Sequence, residues 1–302
     1  MIDAYLRELA RELRAAGVGR ADSRRLLEEA REHLSDSAAA HGEDGAVAAF
    51  GTTRSLAAVV AAELATSRTR RAAYAAFVAL APVGVVYAIL FLTFPAVGTV
   101  QGSRGSIPGL GVAAFAAAVF FPQFAFVCGV LAVLRLVRRS GEAQLPGADL
   151  AVVRRRTACA LAGGALTLAS LGAFALDQRD AISGWWLAGS LVALGVFAPA
   201  LAVVGVATAR AARPVAAVGE VTDTAVEDVG ALLAQVPLLS GVRLPAQPRR
   251  FAFLIAGVAA VAVGVAGVVQ HDPFDGLVRA LAEGVAVLGC YRLFGRQLGL
   301  RR

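Results

Sequence analysis

Lysine is absent from this chain of 302 residues, so all 29 of its basic residues are arginine. The absence excludes chemistry that needs a lysine amine, such as a phosphate-loop lysine or a Schiff base. Charge of either sign is also scarce, at 17% of residues, where a soluble globular protein has roughly 25%. With 58% hydrophobic residues and a mean hydropathy of +0.67, the composition indicates a membrane protein.

Cysteine is almost as rare. Cys128, Cys159 and Cys290 lie in apolar runs without a CxxC motif, so they predict small buried thiols and neither a zinc site nor a disulfide framework. A Gly-rich phosphate loop, a GxSxG elbow and a dinucleotide fingerprint are missing too. We therefore expect no enzymatic activity and no cofactor. The charged, amphipathic start "MIDAYLRELARELR" predicts no signal peptide.

Residues 1–66 carry 11 of the 22 acidic residues and predict a small soluble helical unit. Apolar residues recur every three or four positions over 2–16, which is typical of one helical face. A second helix is expected from Asp22 to Gly42, a short one over 45–50, and a fourth capped by Thr52 or Thr53. Each helix is too short to be stable alone, so their apolar faces must pack together.

Six later stretches are each long enough to span a bilayer core of about 30 Å. Arginine is concentrated before the first stretch, in the second and fourth connections and after the sixth, whereas the alternate connections hold one, one and none. This asymmetry predicts a plasma-membrane protein with both termini cytoplasmic, and it explains the net charge of +7 without nucleic-acid binding. The predicted spans are 72–98, 109–134, 157–176, 185–209, 251–269 and 276–294.

The expected fold is therefore all-α: an integral membrane six-helix bundle over 67–302 with a small N-terminal cytoplasmic helical domain over 1–66. The "TSRTRR" segment, 66–71, is the expected connector. Trp185 and Trp186 would lie at the outer interface.

Prolines inside spans predict kinks or, alternatively, broken helices around a substrate site. The residues concerned are Pro82, Pro122 and Pro199, and the glycines expected to allow close helix packing are Gly163, Gly164, Gly172, Gly257, Gly264 and Gly267.

The connection over 210–250 contains a capping box from Thr224 to Glu227, followed by an apolar stripe. It predicts an amphipathic helix that packs on the bundle or, as the less favoured alternative, binds a partner. The stripe consists of Val226, Val229, Leu232, Leu233 and Val236.

The stretch "REHLSDSAAAHGED" resembles a ligand cluster, but His33 and His41 would lie about 12 Å apart along a helix and cannot share one metal ion. Alternating arginine and glutamate instead indicate an exposed polar face that could dock a partner. That candidate docking face consists of Arg24, Glu28, Glu29, Glu32, His33 and Asp36.

Charged residues inside a span are costly and suggest function. Arg279 and Glu283 lie four residues apart in the sixth predicted span, as a self-satisfied pair or as part of a proton or cation site. Gln123 in the second span predicts an interhelical hydrogen bond.

The segments "MIDAYLREL", "EEAREHLSD", "AVAAFG" and "TTRSLAAVVAAEL" follow one another in the order typical of the HAAS signalling domain. Residues 1–65 resemble that domain, which is related to the DUF1700 and permease-prefix families. His33 lies at its H-L-x-D position. The resemblance implies a cytoplasmic regulatory domain ahead of membrane helices, often encoded beside a PadR-like transcriptional regulator.

We therefore expect a membrane-anchored regulatory protein whose partners are the lipid bilayer and a cytoplasmic transcriptional regulator. The alternative is a small transporter or permease component that uses the six spans.

Overall fold

The computed structural model describes residues 1–93, 110–177, 184–211, 225–235, 247–270 and 272–295. These ranges contain helices and no strand, which confirms the all-α prediction. The helices are α1 (Ile2–Ala15), α2 (Arg20–Phe50), α3 (Thr53–Thr93), α4 (Leu110–Arg138), α5 (Gly147–Asp177), α6 (Gly184–Ala211), α7 (Ala225–Gln235), α8 (Pro248–Gln270) and α9 (Pro273–Phe294).

The first two helices and the start of α3 enclose a core of their own. The predicted glycine stop is visible at Gly42, whose φ of 76° and ψ of 162° interrupt α2. The Tyr5 ring packs edge-on against Phe50, and its hydroxyl donates a hydrogen bond of 3.1 Å to the Gly51 carbonyl. Burial raises the pKa of this phenol, so the hydroxyl remains a donor at neutral pH. The buried residues of this core are Tyr5, Leu6, Leu9, Leu13, Val18, Ala30, Leu34, Ala46 and Ala57.

A connector was expected at 66–71, but α3 is a single helix of 41 residues that runs through it. At 1.5 Å per residue it is about 60 Å long. The segment contains no glycine or proline, so nothing in its backbone ends the helix. The fourth N-terminal helix and the start of the first predicted span are therefore one element.

Several helices could cross a membrane. In the described part of the chain, Ala116–Arg138 of α4, α5 and Ala252–Gln270 of α8 are long and apolar enough, and a fourth is added if the bent α2–α3 pair counts as one span. Leu194–Ala209 of α6 is apolar but shorter. α9 is not apolar enough to count as a candidate span. The far end of the first predicted span, 94–98, lies outside the described residues. The described residues thus support the membrane character, with three or four candidate spans, and the count of six stays a prediction.

Large apolar side chains point outward from these helices. Val261 of α8 is 66% exposed and Val285 of α9 is 71% exposed. Soluble monomers rarely expose wide apolar surfaces, whereas a lipid bilayer covers them at no cost. The outward faces of α8 and α9 therefore suit contact with lipid.

Helices α3 to α6 pack together around small side chains. A Cβ built on Gly163 of α5 would lie 3.0 Å from the Cβ of Ala125 in α4, so these helices approach closely, as predicted. Gly267 of α8 lies equally close to α9, because its built Cβ would be 2.8 Å from Gly276 Cα. A Cβ on Gly257 would meet nothing within 4 Å among the described atoms, so the close approach predicted there is not found.

The remaining predicted glycines divide in the same way. Gly164 and Gly264 lie tightly against neighbouring helices, whereas a Cβ built on Gly172 would make only an ordinary contact of 3.5 Å with Leu194.

Each of the three span prolines lies inside a helix that continues on both sides, so the helices are not broken at those positions. The side chains of Trp185 and Trp186 lie outside the described residues.

Candidate functional site

A buried acidic residue, Asp228 of α7, forms ion pairs with three arginine side chains. Arg135 Nη1 lies 3.1 Å and Arg156 Nη1 3.0 Å from Asp228 Oδ2. Arg138 Nη1 approaches Oδ1 at 3.3 Å. Asp228 is 1% exposed, so its charge is removed from water and depends on these arginines.

Arg135 also binds a second carboxylate, Asp149 at the start of α5, together with Arg139. Arg135 Nη2 lies 2.8 Å from Asp149 Oδ1, and Arg139 Nε lies 3.3 Å from Oδ2. Arg156 donates a further hydrogen bond of 2.7 Å to the Leu131 carbonyl. We call this cluster the ion-pair layer; it consists of Arg135, Arg138, Arg139, Asp149, Arg156 and Asp228.

The ion-pair layer fixes the position of α7. The amphipathic helix predicted in the 210–250 connection is present as α7. It packs on α4, in agreement with the favoured prediction that it lies against the helix bundle. Thr224 and Val236 of the predicted pattern lie outside the described residues. Sequence reasoning missed Asp228, although a carboxylate in a connection rich in arginine was a usable signal.

Polar contacts also join the N-terminal helices to the α4–α5 connection. Arg70 Nη2 donates to the carbonyls of Arg139 and Glu142 at 2.9 and 2.7 Å. The Leu145 amide donates to Thr66 Oγ1 at 3.1 Å. We call this the α3 junction, and it comprises Thr66, Arg68, Thr69 and Arg70 with their partners.

The other two residues of the α3 junction, Arg68 and Thr69, contact two different helices. Arg68 pairs with Asp22 of α2, and Thr69 Oγ1 accepts from Arg154 Nε of α5 at 3.1 Å. The 66–71 segment of α3, the α4–α5 connection and α7 therefore meet at one end of the helices. These are three of the arginine-rich segments that the charge pattern assigns to a single side.

A groove of about 590 Å³ runs between α1 and α2. Its floor contains Leu6, Ala10 and Leu27, and its walls carry five arginines against two acids. The wall residues are Asp3, Arg7, Arg14, Arg20, Arg24, Glu28 and Arg31. We call it the basic groove. Arg24 and Glu28 of the predicted docking face border it, and all six residues of that face are exposed.

The second site is an apolar cleft of about 350 Å³ between α4 and the α8–α9 hairpin. Gln123 of α4 makes the predicted interhelical hydrogen bond, which reaches Glu283 Oε2 of α9 over 2.5 Å. The ion pair observed for Arg279 joins its Nε to Asp275 Oδ2 at 2.5 Å, so the partners differ from the expected Arg279–Glu283 pair. Val229 of α7 also lines the cleft, directly after Asp228.

Metal-binding chemistry finds no support in the described residues, where no group of three His, Cys, Asp or Glu side chains could hold an ion. His33 and His41 are both exposed. Cys128 is fully buried, and Cys159 and Cys290 are partly buried free thiols.

No protein-family model, curated protein or solved structure matches the chain.

Proposed function

We propose that the chain is a membrane-anchored regulatory protein of the plasma membrane with both termini cytoplasmic. Its N-terminal helical unit would engage a cytoplasmic partner, a transcriptional regulator of the PadR type, while six spans hold it in the bilayer. The observation that carries the proposal is the basic groove between α1 and α2. It combines an apolar floor with an arginine-rich rim, which suits an acidic amphipathic helix of a protein partner.

The long helix α3 supports a signalling role. It begins within the core of the N-terminal unit and continues into the apolar helices. The α3 junction then ties it to the α4–α5 connection, and the ion-pair layer ties that region to α7. A rearrangement of the membrane helices would therefore be transmitted to the N-terminal unit through these contacts. It would bias the exposure of the basic groove.

The test is binding of the full chain, in detergent, to the product of a neighbouring PadR-type gene. We expect Arg7→Glu, in the basic groove, to weaken binding about tenfold or more, since the introduced carboxylate repels an acidic partner helix. Glu63→Arg on α3 is the matched control, because Glu63 is exposed and outside both surfaces. Equal binding by all variants, or no complex at micromolar concentration, contradicts the proposal.

A transporter role is the second candidate, and the cleft around Glu283 favours it. A buried carboxyl group between helices is a common element of proton and cation pathways. If the chain transports, Glu283→Gln abolishes pH-dependent uptake into proteoliposomes. Unchanged uptake in that variant speaks against transport.

A further inference from the structure

We propose that the apolar cleft between α4 and the α8–α9 hairpin binds a small lipophilic monocation, which Glu283 recognises by its negative charge. The inference goes beyond the regulatory role, because it concerns occupancy of the cleft alone.

The walls of the cleft suit an apolar molecule. Aliphatic and aromatic side chains from α4, α8 and α9 line it, with Phe120, Phe124, Phe126 and Tyr291 supplying four rings. Its volume of about 350 Å³ lies within the range of drug-sized ligand sites, roughly 300–1,000 Å³. Aromatic faces attract cations as well as apolar groups, so these walls do not oppose a positive charge.

Glu283 gives the cleft its charge preference. Its side chain is 6% exposed, and its hydrogen-bond partner among the described residues is the neutral amide of Gln123. The arginine one turn away, Arg279, forms its ion pair with Asp275. A carboxylate removed from water is stabilised by an opposite charge, and here a ligand can supply it. An anion would be repelled, and a neutral ligand would leave the carboxylate without a counter-charge from the described part of the chain.

The depth of Glu283 favours a small molecule over a lipid amine. It lies ten residues from the start of α9 and eleven from its end, which is about 15 Å from either end of the helix. In the six-span arrangement proposed above, on which this step rests, the amine of a phospholipid lies at the membrane interface and would not reach that depth. A small lipophilic amine dissolves in the bilayer and can enter from the side.

The experiment measures binding of radiolabelled benzyltrimethylammonium to the full chain in dodecyl maltoside micelles. We expect saturable binding of one cation per chain, weakened about tenfold or more in Glu283→Gln, since one ion pair in a site of low polarity is worth at least that factor. Glu63→Gln is the matched control, because it removes an exposed carboxylate in the N-terminal part of α3, outside the cleft, and it should bind like the wild type. Equal binding by wild type and Glu283→Gln overturns the inference.

A second measurement needs no variant and therefore does not depend on the folding of Glu283→Gln. Neopentylbenzene has the shape of the probe with carbon in place of the charged nitrogen. We expect it to compete at least tenfold more weakly than the unlabelled cation. Equal competition shows that the cleft selects shape and not charge. Displacement of the probe by phosphatidylethanolamine places a lipid amine in the cleft. Either result overturns the inference.

Discussion

At the scale of single residues, the important charges are the buried ones. The eye-catching cluster around His33 is exposed, whereas Asp228 and Arg156 are 1% and 0% exposed. Helix periodicity identifies which positions face outward on an isolated helix, so the exposure of the candidate docking face could be predicted from the sequence. The ion-pair layer could not, because Asp228 of α7 pairs with Arg135 of α4 and Arg156 of α5, which lie 93 and 72 positions away in the sequence.

Asp228→Asn should destabilise the protein and release α7. The variant keeps the shape but removes the charge that Arg135, Arg138 and Arg156 share, and breaking a buried ion pair on one side costs roughly 3–5 kcal/mol. The measurement is chemical unfolding in detergent, with proteolysis within 225–235 as a second signal. Glu227→Gln, the exposed neighbour, is the control. Wild-type stability in Asp228→Asn would show that the ion-pair layer does not hold α7.

At the scale of elements, the sequence predicted the helices well where apolar periodicity and glycine stops coincide. It anticipated α1, the interruption of α2 at Gly42 and the amphipathic α7. It missed the continuity of α3, because an arginine-rich segment looks like a surface connector although its residues are good helix formers. It also could not tell which glycines touch a neighbour, since that depends on the rotation of each helix in the bundle.

Gly276→Ala should push α8 and α9 apart. A Cβ there would lie 2.6 Å from the Gly264 carbonyl oxygen and 2.8 Å from the Val268 nitrogen, and backbone atoms cannot move aside cheaply. We expect a loss of about 1–3 kcal/mol of stability in unfolding experiments. Gly257→Ala in the same hairpin is the control; its Cβ meets open space, so the better helix propensity of alanine should leave stability unchanged or raised. Equal effects in both variants contradict this packing.

At the scale of the whole molecule, α3 couples an N-terminal helical unit to the apolar helices. The coupling relies on polar contacts at the α3 junction and on the core that buries Ala65, Ala73 and Leu136 beside it. Charge asymmetry of the connections predicted that these segments share one side, and the structure brings three of them together. The basic groove could not be derived in this way, since it forms only when α1 and α2 pack.

Arg70→Ala should loosen the N-terminal unit, because it removes two hydrogen bonds to the carbonyls of the α4–α5 connection. The measurement is the distribution of distances between spin labels at Ala39 and Ser140, both exposed, in a chain whose native cysteines are replaced. We expect a broader distribution than in wild type. Arg71→Ala, at an exposed neighbouring position, should leave it unchanged. Identical widths in all three proteins argue against coupling through the junction.

The most direct test of the central claim is labelling of single cysteines in intact cells with a membrane-impermeant maleimide, again without the native cysteines. Ser103 lies in the first predicted outer connection, whereas Ala39 and Ser140 belong to segments predicted to be cytoplasmic. The account predicts that Ser103→Cys is labelled in intact cells and that Ala39→Cys and Ser140→Cys are labelled only after permeabilisation. Labelling of Ser103→Cys and Ser140→Cys from the same side would contradict it.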